Sequence, residues 1–208
     1  YHGANRLGAN SLLSACVDGW FTLPLAIPNY LAGLAGQPLL DVDAPEATEA
    51  LGDVRGRIDH LVNNPGHTRP ATFHRRLGEI LYTGCGVSRS EAGLTRALEQ
   101  VQELREEFWR DVRVTGTDDR LNQELEKAGR VADFLELAEL MITDALDRQE
   151  SCGAHFREEY ALPDGEAKRD DERWCNVSAW ETNPAGQHRR YQEPLRFESV
   201  KLQVRNYR

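Results

Sequence analysis

Arg6 stands between Gly3 and Gly8, a few residues ahead of Asn10 and Ser11, which are both good helix N-cap types. The glycines let the backbone come close to a ligand. A guanidinium there presents a planar fork that donates two parallel hydrogen bonds to a carboxylate and keeps its charge at any working pH. The helix that should begin near Ser11 offers free N–H groups and the positive end of its dipole, a setting for negative charge. The arrangement suits an anionic small molecule held between Arg6 and the first turn after Asn10. A solvated loop arginine beside an ordinary helix start is the other reading of the same residues.

Other chemistry is thinly represented. Cys16, Cys85, Cys152 and Cys175 are widely spaced and form no CxxC pair or Cys/His ligand cluster, so reduced thiols and no metal site are expected. No GxGxxG occurs. Gly84 and Gly86 supply a GxG with Arg89 where the third glycine would stand, and they read as a helix terminator. His155 and Arg157 read as buried structural residues. The net charge of −9 comes with basic residues interleaved among acidic ones, which excludes the electrostatic footprint of a nucleic-acid binder. With 40% apolar and 28% charged residues the chain is globular rather than disordered. It begins at Tyr1 with no charged leader and reads as part of a longer protein.

The elements that must position these residues are helical. Leu12, Leu13, Ala15, Cys16 and Val17 follow the start near Ser11, and Gly19 or Pro24 should end that helix. A second short helix starting at Pro24 should bend at Pro28. A membrane span over 12–34 would have to bury Asp18 and repair the backbone at two prolines, so a buried, broken helix pair is expected instead. Over 46–62, Ala50, Val54, Ile58 and Leu61 make one buried stripe, and 63–70 is a loop. A helix over 71–82 should end at the Gly84 and Gly86 pair. Ser88 and Glu91 form a capping box, after which Leu94, Leu98, Val101, Leu104 and Phe108 line a helix to about Val112.

The clearest helix repeats Leu121, Leu125, Ala128, Val131, Leu135, Ala138, Ile142 and Ala145. Phe134, Leu137 and Met141 widen that face, which predicts a central position in a bundle. Beyond Ser151 the periodicity disappears, leaving short extended candidates at 175–180, 195–198 and 200–204.

Two distant stretches carry a family resemblance. HGANRLGANSL, residues 2–12, resembles the HGANRLGxNSL segment of flavoproteins of the succinate dehydrogenase and fumarate reductase family. RQESCGAHFREEY at 148–160, followed by KRDDERW at 168–174, is similar to that family's C-terminal RxESxGAHxRxxxxxRDDxxW pattern. The ending EPLRFESVKLQVRNY, 193–207, resembles the non-mitochondrial bacterial branch. Cys152, where many relatives have arginine, is in keeping with that branch.

The resemblance covers nearly the whole chain, and it implies a mainly α fold. Residues 1–44 would be the remnant of an FAD-binding domain, 45–150 a helical bundle, and 151–208 an irregular tail with short strands. It implies that Arg6 binds a carboxylate of succinate or fumarate, and that Ser11 and Leu12, with Asn10 a weaker companion, contact the pyrimidine ring of FAD. In that family the dinucleotide-binding turn, the histidine bonded covalently to FAD and the proton-delivering arginine lie upstream. No catalytic residue is therefore expected in this chain, and alone it is expected to be inactive.

The implied partners are an iron–sulfur subunit and, indirectly, a membrane-anchor cytochrome b subunit serving quinone. The charged run 158–173, otherwise a solvated face, is the candidate contact with the iron–sulfur subunit. The implied location is the cytoplasmic face of the bacterial plasma membrane, peripheral, with no membrane-spanning segment in this chain. L-Aspartate oxidase carries a similar first segment, but the long RDDERW tail disfavours it. A non-catalytic helical packing module is the remaining reading.

Overall fold

The computed structural model describes residues 10–38, 41–117, 119–183, 187–199 and 201–202. The fold is mainly α, with a helical bundle and one β hairpin.

Three helices make the core: α4 (Pro70–Gly84), α5 (Glu91–Asp111) and α6 (Gln123–Asp147). In α5, Leu94, Ala97, Val101, Leu104 and Phe108 are buried at three- to four-residue spacing, one stripe facing α4 and α6. Phe108 meets Phe73 of α4 edge to face, ring centroids 5.2 Å apart. Gly84 lets α4 and α5 approach closely, because a Cβ there would lie 2.5 Å from that of Ala97. This glycine serves packing as well as helix ending.

The cap of α5 differs from the expected Ser88–Glu91 box. Ser90 is the N-cap, its Oγ accepting from the N–H of Gly93 at 3.2 Å. Ser88 instead donates to Glu158 at 2.8 Å. The cause is Arg89, whose N–H and C=O bond to Phe156 and Glu158. That bridge holds the backbone extended until Ser90, so no helix can start earlier.

Asn122 caps α6, accepting from the N–H groups of Glu124 and Leu125 at 3.0 and 3.1 Å. Ala128, Val131, Ala132, Leu135, Ala138, Ile142 and Ala145 are buried. The wider face is not: Leu137 is 53% exposed, and Phe134 and Met141 are exposed too. Four alanines in the buried stripe let the neighbouring helices sit close on that side. α6 meets α3, α4 and α5, as expected of a central helix, but the side carrying Leu137 and Met141 is left uncovered.

The expected buried stripe of α3 (Pro45–Asn63) also fails. Leu61 is buried and Ile58 half-buried, but Ala50 is exposed and Val54 is 56% exposed. This helix docks by its last turns alone. Arg57 reaches Asp133 of α6 at 2.6 Å, and His60 meets the Trp109 carbonyl of α5 at 3.0 Å.

Towards the N-terminus, α1 (Asn10–Val17) runs through a π turn at Asp18–Thr22 into α2 (Leu23–Ala32). Neither Gly19 nor Pro24 ends it. A proline ring clashes with the carbonyl four residues back, here that of Trp20, and the wider π turn, with the Leu23 N–H bonded to Asp18, shifts that carbonyl out of register. Pro28 lies inside α2. The expected burial is absent: Trp20, Phe21, Ile27 and Tyr30 are all exposed. Apart from the π turn between them, α1 and α2 have no extended contact with another described element. Ser11–Ala32 is long and apolar enough to cross a membrane by length and composition alone.

After α6 the chain is irregular up to α7 (Asp171–Trp174). An antiparallel hairpin follows, β1 (Asn176–Thr182) with β2 (His188–Pro194). It is pinned to α6 by Trp180, whose Nε1 donates to Asp144 at 2.7 Å, and by the ion pair of Arg190 with Asp147. The expected strand at 175–180 is β1. The one at 195–198 is absent, because its residues lie past the end of the pairing register at Pro194. Val200 and Val204 of the third lie outside the described residues. All four cysteines are unbridged.

Candidate functional site

The candidate ligand site lies at the start of α1. Arg6 falls outside the described residues, and of Asn10 only its helical backbone is described. Ser11 is half-buried and Leu12 is 70% exposed. The first turn of α1 contains no acidic residue, so no carboxylate of its own competes for the positive end of the helix. A helix start of this kind suits negative charge of any source, and the expected contact of Ser11 and Leu12 with a flavin ring is the reading that the sequence motif implies.

A second cluster, at the far end of the bundle, is fully described. Arg157 is 1% exposed. Its Nη1 donates to the carbonyls of Ala145 and Leu146 at 2.8 and 3.2 Å, and its Nε to Glu159 at 3.1 Å. Since α6 has no basic residue in its own last turn, Arg157 satisfies its carbonyls and opposes its negative end. Ser151 Oγ accepts from the Arg157 N–H at 2.8 Å and donates to the Arg157 carbonyl at 3.1 Å.

His155 is held at both ring nitrogens. Arg89 Nη1 lies 2.9 Å from Nδ1, and the Arg148 carbonyl lies 2.9 Å from Nε2. A guanidinium can only donate and a carbonyl only accept, so the ring is the neutral tautomer with its proton on Nε2. Burial pulls its pKa below the ordinary histidine value. The Arg148 carbonyl opposes that shift, and the charges of Arg89, Arg148 and Arg157 add to it.

Glu150, also buried, ties the two halves of the C-terminal pattern together. One oxygen pairs with Arg148 and the other accepts from the Asp170 N–H at 3.0 Å. Arg148 continues to the carbonyls of Trp174 and Asn176, at 3.3 and 3.2 Å. Glu159 accepts from the Glu91 N–H at 2.6 Å, so its carboxylate sits at the start of α5. Burial raises its pKa, but that N–H and the Arg157 guanidinium outweigh burial and bring it below the usual carboxylate range.

Chemically this is a hydrogen-bonded network that fixes geometry, the structural role expected of His155 and Arg157. The charged run 158–173 is more than a solvated face, since Glu158, Glu159 and Asp171 are paired within the chain. Sequence reasoning missed Arg89. Its only signal was a cation three residues after Gly86, and nothing local marks its partner 66 positions away.

Residues 74–207 match the family described as fumarate reductase flavoprotein C-term. This chain belongs to that family. The fumarate reductase flavoprotein C-terminal region thus takes in α5, α6, α7, the hairpin and the whole polar cluster, while residues 2–12 lie ahead of it.

Among relatives, the chain is 35% identical over 170 residues to the fumarate reductase flavoprotein subunit of Escherichia coli, covering 82% of this chain and 26% of that protein. It is 30% identical over 182 residues to the succinate dehydrogenase flavoprotein subunit of Bacillus subtilis, covering 85% of this chain and 29% of that one. A solved chain of an Escherichia coli quinol fumarate reductase variant superposes with a TM-score of 0.77 at 30% identity, over 96% of this chain and 32% of that chain. The chain therefore spans about a quarter to a third of the length of these relatives.

Proposed function

We propose that this chain is the C-terminal part of a succinate dehydrogenase or fumarate reductase flavoprotein subunit, which interconverts succinate and fumarate. The carrying observation is the family match over 74–207, joined to HGANRLGANSL directly ahead of and into α1. In this proposal residues 1–44 come from the FAD-binding domain, 45–150 form the bundle and 151–208 the tail.

In this reading Arg6 binds one carboxylate of the dicarboxylate through its paired donors and fixes the reacting carbon in place, a contribution of position and charge. Ser11 and Leu12, with Asn10 beside them, hold the pyrimidine edge of FAD through the first turn of α1. FAD, when bound, supplies the hydride acceptor or donor. Its covalent attachment and the proton-delivering group belong to the part of the subunit upstream of this chain, so the chain alone is inactive. Electrons pass to an iron–sulfur subunit and, through a membrane-anchor cytochrome b subunit, to quinone. The assembly sits peripherally on the cytoplasmic face of the bacterial plasma membrane.

The test is Arg6→Lys in the full-length subunit. Turnover should fall severely while flavin content stays normal, because a point charge replaces the bidentate fork. Near-normal turnover overturns the assignment of Arg6. A second check is the absorbance spectrum of the 208-residue chain, which should be colourless. Bound yellow flavin would show that the chain holds the cofactor unaided.

A further inference from the structure

The Arg89–His155 contact joins two segments far apart in sequence and depends on a neutral imidazole. On one side is the stretch before α5. Arg89 donates from Nη1 to His155 and from Nε to the Gly86 carbonyl at 3.1 Å, and its backbone exchanges bonds with Phe156 and Glu158. On the other side is the end of α6, where the Arg148 carbonyl takes the His155 Nε2 proton. The ring's own segment adds Cys152, paired to it through backbone bonds, and Arg157.

The charged groups facing the ring are therefore Arg89, Arg148 and Arg157. The carboxylates of this cluster are engaged elsewhere: Glu150 with Arg148 and the Asp170 N–H, Glu158 with Ser88, Glu159 with Arg157 and the Glu91 N–H, and Asp171, beside Cys152, with Arg169. Among the described residues no carboxylate bonds the ring to receive a second proton.

We propose that segment 148–160 is a proton-operated latch, closed while neutral His155 accepts from Arg89 and opened when a proton on Nδ1 removes the acceptor and sets two cations against each other. The Nε2–H bond to the Arg148 carbonyl survives a proton on Nδ1, and the hairpin stays pinned to α6 by Trp180 and Arg190, so opening is confined to the contact of Arg89 with the segment around His155. The proposal stands on this geometry and not on the catalytic reading above.

The sign follows from the environment. Burial holds the ring's pKa below the ordinary histidine value, so the latch's stabilisation is complete above that ordinary value and is lost as pH falls through the depressed one.

The experiment is a pH titration of the chain followed by imidazole nitrogen chemical shifts and amide hydrogen exchange. His155 should show the Nε2–H tautomer and titrate below free histidine. Exchange at the Arg89 and Glu158 amides, corrected for the intrinsic rate, should quicken at least about tenfold across that transition. The α5 core amides of Leu94 and Val101 should stay protected, and His155→Gln, which keeps an acceptor but cannot take the proton, should abolish the pH dependence. The proposal is overturned if the ring titrates at or above the free value, if the Arg89 and Glu158 amides hold through the transition, or if the core amides open together with them.

Discussion

Arg157 points its guanidinium at the carbonyl of Ala145, 2.8 Å away, and so finishes a helix it does not belong to. The side chain is almost wholly enclosed, and it donates further to the Leu146 carbonyl from Nη1 and to Glu159 from Nε. Arg157→Ala strips the last turn of α6 of its donor and leaves buried carbonyls bare. A loss of about 3 kcal/mol is expected from urea unfolding, and Arg157→Lys should recover only part of it, because one ammonium cannot reproduce the fork.

The two faces of α6 and the aromatic pair beneath it separate core from surface. Phe108 is fully buried against Phe73, so Phe108→Ala should cost about 3–5 kcal/mol. Leu137 belongs to the exposed face, and Leu137→Ala should change stability by no more than about 0.5 kcal/mol. Parallel chemical denaturation of the two variants checks the assignment of that face.

Asn122 bonds forward to two N–H groups of α6 and back to the carbonyls of Thr115 and Thr117, at 2.9 and 3.0 Å. Asn122→Ala should lower stability by about 1–2 kcal/mol. Ser90→Ala should cost about 1 kcal/mol, and the more exposed Ser88→Ala less than that. Thermal melts of the three variants give this ranking directly, and an equal or larger loss at Ser88 would return the cap to the position the sequence pattern favoured.

Arg76 and Glu107 form a bidentate pair between α4 and α5, both contacts 2.6 Å. The guanidinium's hydrogen bonds hold the Glu107 carboxyl below the usual carboxylate range. The pair's stabilisation is therefore present above that range and lost as pH falls through the depressed value. Both side chains are partly exposed, so the effect should be no more than about 1 kcal/mol. Glu107→Gln should remove that part of the acid-side slope, measured as denaturation midpoint against pH.

Much of the helical content was legible because periodicity reports what one helix does by itself. The stripes of α5 and α6 are written in residues three and four apart, and the core follows them. Errors arose where a neighbour decides. Val54 and Leu137 sit at sound helical spacing yet face outward, since spacing says which residues share a face and not whether anything covers it. Ser88 lost the cap to Ser90 through a bridge from Arg89 to a segment nearly seventy residues on. β2 went unseen because HRRYQEP is held by its pairing with β1 and by Asp147 rather than by any apolar alternation. At the candidate ligand site the types of Asn10, Ser11 and Leu12 were readable from a motif, whereas the polar cluster around Arg157 joins three distant stretches that no local pattern connects.

The π turn at Asp18–Thr22 puts one extra residue into a single helical turn, which advances everything after it by about 100° around the axis. Leu12, Leu13 and Val17 before it therefore look in a different direction from Leu23, Ile27 and Leu31 after it. The oily strip along this rod is broken into two panels of different azimuth, and a flat surface can lie against one of them but not both.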